Sequence, residues 1–339
     1  TSDEGALQSV AALSDGGFVV VWRSWWGDQD NWGVIAQRFD STGQAVGTEF
    51  VVNTYTSGEQ RDPSVTGLAG GGFVVSWISN GQDGSGWGVY AQIYDAKGAK
   101  SGNEFRLNTT TASSQYSVHV NALGGGGFVA TWRDDSTQDA KAQIFGADGT
   151  KVGSEITLNT YTNDWQIWSS TASLPDGGFS AVWESSNQDG NSWGIYAQRF
   201  SATGSKVGVE IRINETTAGN QDSPQITTRS DGSFIITWSS YGQDGSGYGV
   251  YARAYNADGT PASSEMRVNS VTDGDQRLSD VVALDNGGFM VTWQSSDGSG
   301  NGIFSRVWDP ATGFNQLQVT GDANATRIAQ PYASLIDGG

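Results

Sequence analysis

The chain has 339 residues, of which 36 are acidic and 18 basic, and the net charge of −18 argues against binding to nucleic acid. It contains no cysteine, which excludes disulfides and thiolate sites, and no apolar run is long enough to span a membrane. Its 48 glycines and only 6 prolines indicate many tight turns. The acidic composition suits a secreted protein or one that functions in the presence of divalent cations.

The chain repeats one unit six times. Each unit has a phenylalanine after a glycine- or serine-containing turn and a tryptophan four residues later. Successive phenylalanines are 55, 55, 51, 55 and 55 residues apart. A period of about 50 residues is typical of stacked or radial repeat folds. The phenylalanines that mark the repeats are Phe18, Phe73, Phe128, Phe179, Phe234 and Phe289.

The second repeat shows how each unit folds. It predicts strand a over residues 64–68, a glycine turn, and strand b over residues 73–79, which is apolar on both faces as in a doubly covered strand. After a longer loop, the pattern predicts strand c over residues 88–95, a tight turn, and strand d over residues 104–108. No helical period is present, so each repeat should form one four-stranded antiparallel sheet.

Six such sheets predict an all-β fold, a β-propeller of six four-stranded antiparallel blades. The alternatives are part of a seven-bladed ring and a β-solenoid. Residues 1–321 are predicted to form the single propeller. Residues 322–339 match residues 1–17 and are predicted to be the first strand of a further repeat, as an overhang or as a closure.

The repeat also resembles a known family. Residues 71–108, GGFVVSWISNGQDGSGWGVYAQIYDAKGAKSGNEFRLN, are similar to a repeat of large secreted bacterial proteins of the RTX type, the hemolysin-like calcium-binding adhesins and exoproteins. The resemblance implies an extracellular, multidomain bacterial parent and no established activity. The GGxGxD nonapeptides that bind calcium in the RTX β-roll are absent, so that role does not carry over.

One aspartate recurs in the loop between strands b and c, six residues after the tryptophan. Such a carboxylate can cap its own turn by accepting backbone hydrogen bonds. It could also contribute to a calcium site, although calcium needs about six to eight oxygen ligands. Calcium is therefore the candidate cofactor. The candidate metal ligands are Asp28, Asp30, Asp83, Asp189 and Asp244.

Several aromatic side chains are candidates for ligand contact. The strand-b tryptophans recur in every repeat and are predicted to be core. The loop aromatics either pack between blades or stack on sugar rings. Four further tryptophans break the repeat on the face of the b–c and d–a loops, where binding sites usually lie. The candidate ligand-binding residues are Trp25, Trp26, Trp32, Trp165, Trp168, Trp87, Trp193 and Tyr248.

These features predict an extracellular binding or adhesion module whose preferred ligand is carbohydrate, contacted through the long-loop face. Its expected partners are a cell-surface glycan and other domains of the parent chain, without nucleic acid or membrane insertion. One alternative is a polysaccharide-active enzyme, a lyase or a glycoside hydrolase. Another is a non-binding structural spacer. No catalytic residue is assigned, since the single histidine, His119, falls in a predicted strand.

Overall fold

The fold is all-β. The structure is a computed structural model that describes residues 8–296 and 300–315. These residues form 24 strands in six four-stranded antiparallel sheets, and they contain no helix. The propeller-like fold predicted from the repeats is thereby confirmed. The predicted strand over residues 322–339 lies outside the described residues.

Each of the first three sheets takes its four strands in chain order, from strand a to strand d. The first sheet contains β1 (Gln8–Ala12), β2 (Phe18–Trp25), β3 (Trp32–Phe39) and β4 (Ala45–Val51). The second contains β5 (Gln60–Gly67), β6 (Phe73–Asn80), β7 (Trp87–Tyr94) and β8 (Lys100–Arg106). The third contains β9 (Gln115–Ala122), β10 (Phe128–Asp134), β11 (Asp139–Phe145) and β12 (Lys151–Thr157).

The remaining three sheets repeat this order. The fourth contains β13 (Gln166–Ser173), β14 (Phe179–Ser186), β15 (Trp193–Phe200) and β16 (Lys206–Arg212). The fifth contains β17 (Gln221–Thr228), β18 (Phe234–Tyr241), β19 (Tyr248–Tyr255) and β20 (Met266–Arg267). The sixth contains β21 (Gln276–Ala283), β22 (Phe289–Ser296), β23 (Asn301–Asp309) and β24 (Gly313–Asn315).

The chain divides into two compact units. Unit 1 comprises Thr1–Ser185 and Ala197–Ile211, and unit 2 comprises Ser186–Tyr196 and Arg212–Gly339. Among the described residues no helix is long and apolar enough to cross a membrane.

Strand a begins four residues earlier than its sequence pattern predicts. In the second sheet it starts at Gln60, and its register against β6 shifts between Arg61 and Ser64. The third residue of this strand, Asp62, has a φ of 51°, a left-handed conformation that non-glycine residues rarely adopt. This β-bulge interrupts the alternation of side chains between the two faces of the strand, so the sequence pattern does not reveal where the strand begins. The same third position is left-handed in four later sheets, at Ser117, Trp168, Ser223 and Leu278.

The core lies between neighbouring sheets and is supplied mainly by strand b. Trp77, Trp132, Trp183 and Trp238 are fully buried and Trp293 is nearly so, which confirms these five strand-b tryptophans as packing residues, whereas Trp22 is half-buried. In unit 1, Trp77 packs with side chains of the first sheet, such as Val21. Burial of one such side chain stabilises the fold by about 1.5–3 kcal/mol.

Candidate functional site

Three of the four recurrent loop aspartates, Asp28, Asp189 and Asp244, belong to a hydrogen-bond network inside the sheets, whereas Asp83 Oδ2 is buried with no hydrogen-bond partner among the described residues. In the first sheet, Asn53 Nδ2 donates to Asp28 Oδ2 at 2.7 Å and to Gln60 Oε1 at 3.1 Å. The Oδ1 atom of Asn53 accepts from the backbone N–H of Val34 at 2.9 Å. In unit 2, Asn214 binds Asp189 at 3.2 Å, and Asn269 binds Asp244 at 3.1 Å. The network therefore ties the b–c loop to the end of strand d.

A glycine at the second position of strand c gives the aspartate its space. A Cβ on Gly33 would lie 2.6 Å from the Cγ atom of Asp28, and one on Gly88 would lie 2.8 Å from Asp83 Oδ2. The aspartate also caps its own loop, as where Asp83 Oδ1 accepts from the Ser85 N–H at 3.1 Å. These contacts agree with the interpretation that the aspartate caps its own turn by accepting a backbone hydrogen bond.

The candidate metal ligands lie in separate loops, one loop per sheet. Asp30 shares the loop of Asp28, and its Oδ2 atom accepts from the N–H of Gly58 at 3.2 Å. Among the described residues, no three acidic, histidine or cysteine side chains are grouped so as to hold a metal ion. Calcium binding stays a prediction.

The tryptophans at the end of β2 form an exposed aromatic group in unit 1. The side chains of Trp25 and Trp26 are 49% and 58% exposed. Trp25 packs edge-on against Trp32 with a centroid distance of 5.3 Å, and against Trp26 at 6.1 Å. The structure thus brings three of the predicted ligand residues together.

Arginine side chains extend this group towards the second sheet. The Cζ atom of Arg23 lies 4.9 Å from the ring centroid of Trp32. Arg61 lies between two rings, 5.9 Å from Trp32 and 5.8 Å from Trp87. Such cation–π contacts contribute about 0.5–2 kcal/mol each and fix the guanidinium plane against the rings.

Two carboxyl groups flank Arg61. The Oε2 atom of Glu59 pairs with Arg61 at 2.6 Å, and both side chains are partly buried. Asp62 is half-buried, and desolvation raises the pKa of its carboxyl, while the charges of Arg23 and Arg61 lower it. A desolvated carboxyl with a raised pKa thus lies three residues along the chain from an ion-paired carboxylate. We call Arg23, Trp25, Trp32, Glu59, Arg61, Asp62 and Trp87 the first aromatic–arginine site.

The aromatic–arginine pattern continues into the third sheet. Arg133 lies 4.9 Å from the ring of Tyr116 and 5.2 Å from that of Trp165, and it pairs with Asp135 at 2.7 Å. Trp165 is half-buried, unlike Trp168, which is 51% exposed and left-handed, with a φ of 51°. The predicted pair Trp165 and Trp168 therefore splits into a packed ring and an exposed one.

Three further side chains singled out from the sequence lie elsewhere. In unit 2, Trp193 and Tyr248 are half-buried at the start of β15 and β19. His119 is half-buried in β9, and desolvation lowers its pKa, so its imidazole is neutral at pH 7.

Sequence reasoning missed Arg23, Arg61, Glu59 and Asp62. The available signal was a charged segment, Glu59 to Asp62, directly before a predicted strand in an otherwise polar loop. Its meaning depends on contacts between consecutive repeats, because the arginine of one repeat stacks on the aromatic ring of the preceding one.

No protein-family model and no curated protein matches the chain. Solved structures do. A protein of unknown function from Dyadobacter fermentans matches with a TM-score of 0.62 and 12% identity over 89% of this chain and 93% of that one. The α-L-arabinofuranosidase Arb93A from Fusarium graminearum, with an iminosugar inhibitor, matches with a TM-score of 0.59 and 16% identity over 92% and 95%. The GH93 α-L-arabinofuranosidase of Fusarium graminearum with arabinobiose gives 0.56 and 14% over 91% and 94%.

At such low identity these matches show the fold alone. The stated activities of the matched structures nevertheless go against the leading prediction of function, which is corrected accordingly. A non-enzymatic binding or adhesion module was the leading prediction, whereas the structural neighbours of stated activity are glycoside hydrolases. The prediction was wrong because aromatic rings on a loop face look alike in a binding module and in an enzyme that holds a polysaccharide.

Proposed function

We propose that the protein is a polysaccharide-active enzyme, a glycoside hydrolase that cleaves at the first aromatic–arginine site. The observation that carries the proposal is the carboxyl of Asp62, half-buried and with a raised pKa, beside the arginine that spans Trp32 and Trp87. The fold shared with α-L-arabinofuranosidases supports it.

Glycoside hydrolysis uses two carboxyl groups in different protonation states. The acid must hold a proton until it transfers it to the leaving oxygen, and a raised pKa serves that role. Asp62 is the proposed general acid. Its backbone lies in the left-handed region, within the β-bulge near the start of β5.

The second carboxyl must act as a carboxylate. Glu59 is held by Arg61 at 2.6 Å, and this ion pair supports the charged form. Glu59 is the proposed base or nucleophile. Arg61 then has two roles, since it orients Glu59 and keeps Trp32 and Trp87 in place on either side.

The exposed rings suit a polymer of sugars. A sugar ring stacks its C–H face on an indole, and the half-exposed rings of Trp25 and Trp26 offer such faces, with Trp25 packed against Trp32. Arabinose-containing polysaccharides are the first to test because two of the neighbours are α-L-arabinofuranosidases. A polymer substrate agrees with the expected secretion from a bacterium, which stays part of the proposal.

Hydrolysis is favoured over the lyase alternative. A raised pKa serves a general base as well as a general acid, so the preference rests on the fold shared with α-L-arabinofuranosidases. The neutral imidazole of His119 could accept a proton, but it lies within β9 and shows no contact with the aromatic–arginine site.

The test is to incubate the purified protein separately with arabinan, galactan and xylan and to measure new reducing ends. We expect release from at least one polymer, with no ultraviolet-absorbing unsaturated product. Asp62→Asn and Glu59→Gln should each lower the rate by at least about 100-fold, as loss of acid–base catalysis does.

The matched control is Asp95→Asn, which alters an exposed carboxylate that caps a turn in the same sheet. It should cleave as the wild type does. Cleavage by Asp62→Asn at the wild-type rate would contradict the assignment of the acid. Unsaturated products would show a lyase instead.

A further inference from the structure

The geometry points to a second polysaccharide-contact site in unit 2. We infer it from four side chains, Tyr241, Tyr248, Arg277 and Asp222, which we call the second aromatic–arginine site. It rests on the proposed function for the class of its ligand, a polysaccharide.

The aromatic pair of the first site recurs only at this place among the described b–c hairpins. Trp25 faces Trp32 across β2 and β3, and Tyr241 faces Tyr248 across β18 and β19 in the same register. Both pairs pack edge-on, at 5.3 Å and 5.1 Å. In the second sheet the equivalent outer position is the polar Asn80.

The outer ring of each pair is exposed to solvent. Tyr241 is 53% exposed and Trp25 is 49% exposed. Nothing in the packing of the repeat requires an aromatic ring there, because Asn80 occupies the same position without one. A half-exposed ring next to a half-buried one offers a stacking face for a sugar.

An arginine completes both sites from the second residue of the next strand a. The Cζ atom of Arg277 lies 3.8 Å from the ring centroid of Tyr248, as Arg61 lies over Trp32. Each arginine pairs with an acid, Arg277 with Asp222 at 3.2 Å and Arg61 with Glu59 at 2.6 Å. The side chain of Arg277 remains 41% exposed, so its other N–H groups can meet a ligand hydroxyl.

The hydroxyl of Tyr248 adds a polar group to the second site. The side chain of Asn220 donates to the Tyr248 hydroxyl at 3.4 Å, and Asp275 accepts from the Tyr248 backbone N–H at 3.0 Å. Desolvation raises the pKa of Tyr248, so its phenol stays protonated at neutral pH. The phenol can therefore donate a hydrogen bond to a sugar hydroxyl.

The second site differs from the first at the left-handed position of strand a. The residue equivalent to Asp62 there is Leu278, which has a φ of 54° and is 61% exposed. The carboxyl of the second site is Asp222, which pairs with Arg277 and whose pKa is raised by desolvation. Two contacts on one chain raise the avidity for a long polymer.

The test uses Asp62→Asn as the parent so that no polymer is cut, in native gels cast with arabinan, galactan or xylan. Retardation of the parent by one polymer is expected. Tyr241→Ala and Trp25→Ala should each weaken the retardation at least about tenfold, and the double variant should abolish it, because bivalent contact is lost. Arg277→Lys, which keeps the charge beside Asp222 but loses the planar stacking, should weaken it less.

The matched control is Asn80→Ala, at the same hairpin position without a ring, which should migrate as the parent does. Equal retardation of the parent and folded Tyr241→Ala would overturn the second site, and so would a parent that no gel retards. If the wild type releases no product from a polymer that retards the parent, the hydrolase proposal fails. The Tyr241 comparison still decides the second site in that case.

Discussion

At the scale of single residues, Asp62 combines two unfavourable features. Its carboxyl is desolvated and its backbone is left-handed, a conformation that aspartate and asparagine tolerate better than most other non-glycine residues. A folded protein that keeps such a residue loses stability at that position. Proton transfer needs a carboxyl of this kind, which links the loss of stability to the proposed chemistry.

Asp62→Asn should therefore raise the stability of the fold at pH 7 while it removes activity. The pKa of Asp62 is raised in the folded state, so folding binds a proton more tightly, and stability falls as pH rises from the unfolded to the folded pKa. The gain of the variant should be present at neutral pH and vanish below the unfolded pKa. Thermal unfolding at several pH values measures it, and equal gains at all pH values would contradict the cause.

At the scale of the element, a repeated amide network joins the strands. Asn108 is buried at the end of β8, accepts from Val89 N–H at 3.1 Å, and donates to Thr110 O at 2.6 Å and Gln115 Oε1 at 2.9 Å. The same bonds recur at four other asparagines, Asn53, Asn159, Asn214 and Asn269, so one asparagine fixes where the d–a loop starts in each of the first five repeats.

Asn108→Ala should lower the free energy of unfolding by about 2–4 kcal/mol, because it leaves buried backbone groups without partners. Urea unfolding measures the loss. Asn103→Ala, at an exposed position of the same strand, should change stability by less than about 0.5 kcal/mol. Similar losses in the two variants would show that the network contributes little.

The sequence pattern predicted the sheets well and the sites only in part. The Phe and Trp spacing located every strand b, because a strand buried on both faces leaves a continuous apolar run. The beginning of strand a was hidden by the bulge at Asp62. Trp25 and Trp32 were predicted as ligand residues. Arg61 and Arg277 were not, because each stacks on an aromatic ring of the preceding repeat and this stacking is visible only in the folded chain.

At the scale of the whole molecule, the net charge of −18 opposes the compact state through self-repulsion. Added sodium chloride should raise the melting temperature between about 0.01 M and about 0.15 M, where the Debye length falls from about 30 Å to about 8 Å. Calcium chloride at matched ionic strength separates screening from binding. A larger rise with calcium would support the predicted calcium sites, and a melting temperature that falls with sodium chloride would contradict the repulsion.

The central claim is that Asp62 is the acid of a polysaccharide hydrolase, and the pH dependence of kcat/KM on the cleaved polymer tests it most directly. The account predicts that the rate falls as pH rises through the raised pKa of Asp62 and that Asp62→Asn loses this alkaline limb together with the activity. Asp280→Asn is the matched control, since desolvation also raises the pKa of Asp280 although its side chain reaches solvent. It should keep the wild-type profile. An active Asp62→Asn with an unchanged alkaline limb would contradict the account.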